Sequence, residues 1–195
     1  MLREPPRTLT TSPITTGTSV VGIKYKDGVV LACDTQVSYG SMSRYKGVER
    51  IANINKHTLL ASSGEFSDFQ EIVRLLRQQV VAEEIANFGQ ADRSSSEIAE
   101  YLTSMQYQRR NKMNPLYTLS LVAGYADGAP QLQAVDLYGT TWKGDFLLTG
   151  FAQYFCQVLC QNAWRPDFTE AEARALAEEC MRVLFYRDSR ATEVI

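Results

Sequence analysis

The spacing of hydrophobic positions along the chain switches in blocks between the strand period and the helix period. Two β-rich runs, residues 19–25 and 29–34, flank Lys26-Asp27-Gly28, and an Asp-Gly pair between such runs predicts a hairpin. A second strand pair is predicted over residues 50–54 and 58–62, turning at Asn55-Lys56-His57. The period then becomes helical. Ser67-Asp68-Phe69-Gln70 has the form of a capping box, and Ile72, Val73, Leu76 and Val80 fall on one face before Asn87-Phe88-Gly89 ends the helix. Ser94-Ser95-Ser96-Glu97 opens a second helix with the stripe Ile98, Tyr101, Leu102 and Met105, closed by Asn114-Pro115. Strands return at 119–125 and 131–136 around Asp127-Gly128, and a further short pair is predicted at 140–142 and 146–148. A helix over 152–163 and another opened by the capping box Thr169-Glu170-Ala171-Glu172, with Leu176, Cys180, Val183 and Leu184 inward, complete the pattern.

Blocks of strands and helix pairs, in place of alternating βαβ units, predict antiparallel sheets covered by helices. The expected fold is α+β, a four-layer αββα sandwich with two antiparallel sheets between two helix layers. Residues 1–17, rich in Pro and Thr, show no sustained period and are expected to be an extended arm or leader ahead of one domain over 18–195. No repeat or linker divides that domain.

Composition acts mainly by exclusion. With 195 residues, 45% hydrophobic and 22% charged, the chain can bury a true core and does not read as disordered. A net charge of -2 leaves no electrostatic footprint for nucleic acid. Apolar runs such as residues 29–33 fall far short of the ~20 residues that span a bilayer, so no membrane association is expected. Met1 to Arg7 lack the apolar stretch of a signal peptide, which makes the expected protein soluble and intracellular. The single histidine, His57, sits in a turn, where a solvated side chain is a far commoner reading than a catalytic base. Cys33, Cys156, Cys160 and Cys180 form no C-x-x-C pair and read as free buried thiols, and no metal or organic cofactor is implied.

Three features point toward nucleophile chemistry. Gly17-Thr18-Ser19 stands at the mouth of a strand, Asp34 ends its hairpin partner, and Ser63-Gly64 precedes a helix N-terminus, where an N–H can serve an oxyanion. Singly, each has a commoner structural explanation as a surface threonine or a turn glycine.

The run from Thr18 to Asp34 resembles the opening hairpin of proteasome beta subunits, which are N-terminal nucleophile hydrolases. The likeness extends from about Thr16 to the C-terminus. It sharpens at residues 107–116, 124–128 and 180–188, which are most similar to a non-catalytic branch, the seventh beta subunit of the eukaryotic core particle. The resemblance implies the αββα fold. In catalytic members it also implies a mature N-terminal threonine whose hydroxyl attacks and whose free amine is the base. By position, that threonine is Thr18, preceded by Gly17; the lysine-orienting aspartate is Asp34 and the oxyanion glycine Gly64. The lysine falls on Arg50, the serine ahead of a helix on Thr149, and the final aspartate–serine pair on Asp188 and Ala191.

The departures decide the expected role. A guanidinium is effectively always charged and cannot give up and retake a proton near neutral pH. Ala191 has no hydroxyl, and an amide nitrogen at Thr18 is no base. Self-cleavage in the family uses the same machinery, so its loss impairs maturation as well. Each loss in such a cooperative site costs on the order of a hundredfold or more. The site is expected to be vestigial.

The resemblance also implies partners: other proteasome beta subunits in the same and opposite rings, and alpha ring subunits. Cytoplasm and nucleus are the expected locations. Tyr107, Arg109, Arg110 and Lys112 form a candidate interface, equally readable as a basic helix end near its C-terminal dipole. The arm is either trimmed, near Thr10 or Thr11, or kept whole; both leave residues ahead of Thr18. Past Ala191 the family continues into two further strands and, in this branch, a tail. The sequence stops at Ile195, so these are expected to be lacking, because the chain is either shortened or different from its relatives. Two other functions compete with a structural subunit: an active threonine protease trimmed to Thr18, and a free-standing amidohydrolase of the same fold.

Overall fold

The computed structural model describes residues 12–89 and 93–192. The arm up to Thr11, its trimming point, and the chain end from Glu193 lie outside the described residues. The chain enters through β1 (Thr15–Gly17) and makes three hairpins: β2 (Val20–Tyr25) with β3 (Gly28–Cys33), β4 (Val37–Tyr39) with β5 (Met42–Tyr45), and β6 (Ile51–Asn55) with β7 (Thr58–Glu65). Helices α1 (Phe66–Ala86) and α2 (Ser95–Asn111) follow. Then come β8 (Thr118–Ala126), β9 (Ala129–Val135), β10 (Thr141–Lys143) and β11 (Phe146–Leu148). The last elements are α3 (Ala152–Phe155), α4 (Gln157–Ala163) and α5 (Glu170–Arg187). Among the described residues the larger sheet runs β10-β9-β8-β7-β1-β4-β5, with β6 also on β7, and the smaller runs β11-β2-β3.

Strand alternation builds the layers. Leu121 and Ala123 of β8 meet Val20, Ala61, Leu132, Ala134 and Leu147 between the sheets. The intervening Val122 turns the other way, joining Leu60, Ile72, Leu76, Ile98 and Leu102 beneath α1 and α2. On β2, Val21 and Ile23 face away from the large sheet and pack with Leu176, Cys180 and Leu184 of α5. A period of two thus feeds two cores from one strand, each buried large side chain contributing ~1.5–3 kcal/mol. The result is the expected αββα sandwich.

The capping boxes of α2 and α5 form as predicted. Ser94 N donates to Glu97 Oε2 at 2.8 Å and Glu97 N to Ser94 Oγ at 3.3 Å. Thr169 N donates to Glu172 Oε2 at 2.9 Å and Glu172 N to Thr169 Oγ1 at 3.4 Å. Asp127 and Gly128, at φ of 54° and 75°, make the left-handed turn that joins β8 to β9.

Elsewhere the structure corrects the pattern. Ser67 does not cap α1: Glu65 takes the N-cap position, the Ser67 hydroxyl donates to Glu65 Oε1 at 2.8 Å, and Asp68 accepts from Tyr117 N at 2.8 Å. β10 and β11 are not a pair, since β10 joins β9 in the large sheet and β11 joins β2 in the small one. The helix expected over 152–163 bends at Cys156, where φ is -106° and ψ -10°, and becomes α3 and α4. Thr15–Gly17, expected within the arm, are a strand paired to both β4 and β7, so the ordered fold starts ahead of Thr18.

Candidate functional site

The link between β1 and β2, the end of β3, the start of β6 and the turn after α5 converge on one polar pocket. Thr18, half-buried between β1 and β2, donates its hydroxyl to Asp188 Oδ2. Asp188 is 3% exposed at the C-cap of α5, where its other oxygen accepts from Arg190 N at 3.0 Å.

Arg50 lies at the centre, 2% exposed. Its Nη1 is ion-paired to Asp34 Oδ1 and also donates to Asp34 O at 3.2 Å. Its Nη2 donates to Thr18 O at 2.7 Å, to Ser62 O at 3.2 Å and to Ser19 O at 3.4 Å. Nε is buried without a hydrogen-bond partner, against the Cα of Gly17; a Cβ there would collide with it. A side chain at 17 would have to displace the guanidinium from its Asp34 and carbonyl partners. Burial pushes the Asp34 carboxyl up from its ordinary value, while Arg50 and the Thr192 N–H, at 3.3 Å, pull it back. Beside it, burial lifts the Cys33 thiol to about 11, which keeps it protonated near neutral pH and removes it as a nucleophile.

The remaining positions are placed as follows. Gly64, at φ of 102°, sits opposite Gly17 on one side and Thr118 on the other, and a side chain at that position would strike the Tyr117 carbonyl. Thr149, fully buried, accepts from Val20 N at 2.8 Å through its hydroxyl and donates its own N–H to Val20 O at 2.9 Å. It anchors β2, its hydroxyl and N–H both bonded to Val20. Ala191 donates its N–H to Asp188 O at 3.1 Å and packs on the α5 core. The structure thus gathers Thr18, Asp34, Arg50 and Asp188 into one bonded group, and keeps Gly64 adjacent through the sheet.

Three contributors act through partners the sequence did not indicate, although Ser19 stood in the Gly17-Thr18-Ser19 run singled out there. Ser19 Oγ accepts from Ala152 N at 3.1 Å and ties the Thr18 segment to α3. Glu65 binds the backbone ahead of Thr18, with Ile14 N at 2.5 Å and Thr15 N at 2.9 Å from Oε2. Gln36 Nε2 donates to Arg190 O at 2.9 Å, joining the β3–β4 link to the turn after α5. Each is a contact across many residues, which no local pattern encodes.

The candidate interface lies at the other end of α2 from its cap. Tyr107 is half exposed under the Arg110 guanidinium, 5.7 Å from ring centre to Cζ, and Arg109 and Arg110 occupy the last turn. Lys112 is the C-cap, its N–H shared between the Arg109 and Arg110 carbonyls. His57 stands exposed in the β6–β7 turn, its N–H on Asn55 Oδ1 at 3.0 Å. A groove of 1590 Å³ between β6 and α1, lined by Val48, Ala52, Phe66, Gln70 and Ile85 among others, contains none of the bonded group. No described helix is long and apolar enough to cross a membrane.

Comparison with known proteins agrees in extent. The family model described as "Proteasome subunit" matches residues 14–195, beginning one residue before β1. A "Proteasome subunit beta type-4" of Arabidopsis thaliana is 43% identical over 179 residues, 92% of this chain and 72% of that protein. One of Drosophila melanogaster is 42% identical over 185 residues, 92% of this chain and 68% of its own. A "Proteasome subunit beta type-7" of Saccharomyces cerevisiae is 39% identical over 196 residues, 96% of this chain and 74% of that one.

Proposed function

Because this chain belongs to the proteasome subunit family, we propose that it is a non-catalytic, structural beta subunit of the core particle. The observation that carries this reading is Arg50. Activating a threonine hydroxyl requires a group that takes its proton and later returns it. Where the family's chemistry calls for an amine, a buried guanidinium stands here, with Nη1 and Nη2 committed to Asp34 and three backbone carbonyls.

The other parts of the pocket argue the same way. In the proposed subunit Gly17 is not cleaved from Thr18, whose nitrogen therefore stays in a peptide bond. The delocalised lone pair of that nitrogen accepts no proton. The Thr18 hydroxyl donates to the Asp188 carboxylate, a bond that orients it at the end of α5. Ala191 supplies no relay. The positions Thr18, Asp34, Arg50, Gly64, Thr149, Asp188 and Ala191 are then a vestigial constellation whose present work is to join β1, β2, β3, β6, β7 and α5.

In this role the subunit takes part in protein degradation through shape and contact. It helps close a chamber whose cutting is done elsewhere, in a ring with other beta subunits, against the opposite ring and an alpha ring, in cytoplasm and nucleus. Tyr107, Arg109, Arg110 and Lys112 are the proposed contact surface. The deciding experiment is fractionation of a native extract with mass identification of co-eluting chains, together with a threonine-reactive electrophile. Elution in a large particle with other proteasome subunits, and no adduct on Thr18, is expected. A small isolated oligomer, or a labelled Thr18 at a free N-terminus, overturns the reading.

A further inference from the structure

The segment ahead of Thr18 is gripped from two sides. Glu65, only 5% exposed, takes the Ile14 and Thr15 N–H groups on one carboxylate oxygen and the Ser67 hydroxyl on the other. From the opposite end, Arg50 takes the Thr18 carbonyl and packs against the bare Cα of Gly17. Between these grips, β1 pairs antiparallel with β7 through Thr16 and Gly17, and with β4 through Thr15, Thr16 and Gly17. The strand order β7-β1-β4-β5 has a consequence: among the described residues, β1 alone connects the β4–β5 hairpin to the rest of the large sheet. Taking β1 away leaves a gap one strand wide, with unpaired backbone on β7 and β4.

We propose that Ile14–Gly17 is a keystone strand, retained by the Glu65 carboxylate, through which the β4–β5 hairpin is held in the large sheet. This deepens the proposed function, since it rests on an uncut Gly17–Thr18 bond. Glu65 is a positioning residue: bonds from a carboxylate to backbone N–H groups are stronger than neutral ones, and two of them meet where the chain enters the sheet. A competing tether of the hairpin runs from Gln36 to Arg190 O at 2.9 Å and from Ser43 Oγ to Gln36 Oε1 at 2.7 Å, beside the burial of Val37 and Ser38. The test must therefore follow the hairpin separately from the strand.

Amide hydrogen exchange followed by mass spectrometry on the full chain does this, comparing wild type with Glu65→Ala and Glu65→Gln. In Glu65→Ala, peptides covering residues 13–18 and 37–45 are expected to exchange on the order of tenfold faster, with β8 unchanged; Glu65→Gln, which keeps a neutral acceptor, falls between. Unchanged exchange in both regions overturns the proposal. So does faster exchange at 13–18 with 37–45 still protected, because the hairpin is then held through Gln36. If Glu65→Ala does not fold, Glu65→Gln decides by the same two regions at a smaller fold-change. The intact mass of the wild-type sample separates the two readings: a chain starting at Thr18 overturns the non-catalytic function, whereas an intact chain with unchanged exchange overturns the keystone alone.

Discussion

The pocket around Arg50 and the N-terminal ends of α2 and α5 are built from the same materials, a charged side chain holding backbone groups, yet they carry very different weight. In the pocket, the Arg50 and Asp34 side chains are each 1% exposed and form a direct ion pair with each other. At the helix ends, Glu97 and Glu172 satisfy a backbone N–H while remaining in water. Burial sets the difference. A buried charge that loses its partner has no solvent to fall back on, whereas an exposed cap that is deleted is replaced by water.

Arg50→Met breaks the comparison most sharply. The side chain keeps its approximate bulk, but Asp34 is left in the interior without its partner, and the Thr18, Ser19 and Ser62 carbonyls lose a donor. A loss of ~3–5 kcal/mol is expected in urea unfolding of the purified chain. Adding Asp34→Leu should recover a good part of it, and no recovery would mean that the carbonyl contacts dominate. Arg50→Lys is a different probe. It restores an amine but leaves Thr18 N acylated, so electrophile labelling of Thr18 should stay absent.

Gly64→Ala comes next. The backbone there holds φ of 102°, and a methyl group would overlap the Tyr117 carbonyl of the loop entering β8. The conformational strain alone is ~1–3 kcal/mol, and the overlap adds to it. Gly128→Ala is the control, with φ of 75° but open space around it, and about 1 kcal/mol is expected. Equal losses at the two sites would show that strand packing at Gly64 is looser than the structure indicates.

What the sequence made legible divides along the same line. The caps at Ser94 and Thr169, the Asp127-Gly128 turn and the helix stripes are local, and they are where the pattern placed them. The β4–β5 hairpin was not legible, because β5 is exposed along its whole length and β1, the sheet neighbour of β4, comes from a segment with no period of its own. The helix start misread at Ser67 failed for a similar reason: Glu65 and Asp68 are engaged by Ile14, Thr15 and Tyr117, partners about fifty residues away in either direction. Resemblance put arginine in the lysine's place. Only the fold revealed that its two terminal nitrogens are already occupied by Asp34 and backbone carbonyls.

Ser94→Ala is a smaller step. The hydroxyl accepts from Glu97 N at 3.3 Å, and its loss should cost ~1 kcal/mol with the pocket untouched. Exchange rates in α2 should rise at its first turn alone; a change at residues 15–19 would mean that the two regions are coupled.

The smallest effect separates the regions by sign. Backbone and side-chain bonds from Ser94 and Thr169 hold the Glu97 and Glu172 carboxyls below their ordinary value of 4.5. A depressed folded value means that the cap's contribution is complete above about pH 4.5 and drains away as pH falls through the folded value. Burial acts oppositely on Asp34, raising it above its ordinary 3.8, so folding there favours the proton. Its contribution is complete below the ordinary value and is lost as pH rises through the folded one. Acidification from about pH 6 to about pH 3 therefore weakens the helix ends while easing the strain on the buried carboxyl. The combined variant Glu97→Gln and Glu172→Gln should flatten the acid-side fall of the urea midpoint, and Asp34→Asn should steepen it. If both variants moved the slope in the same direction, burial would not be what distinguishes the pocket from the caps.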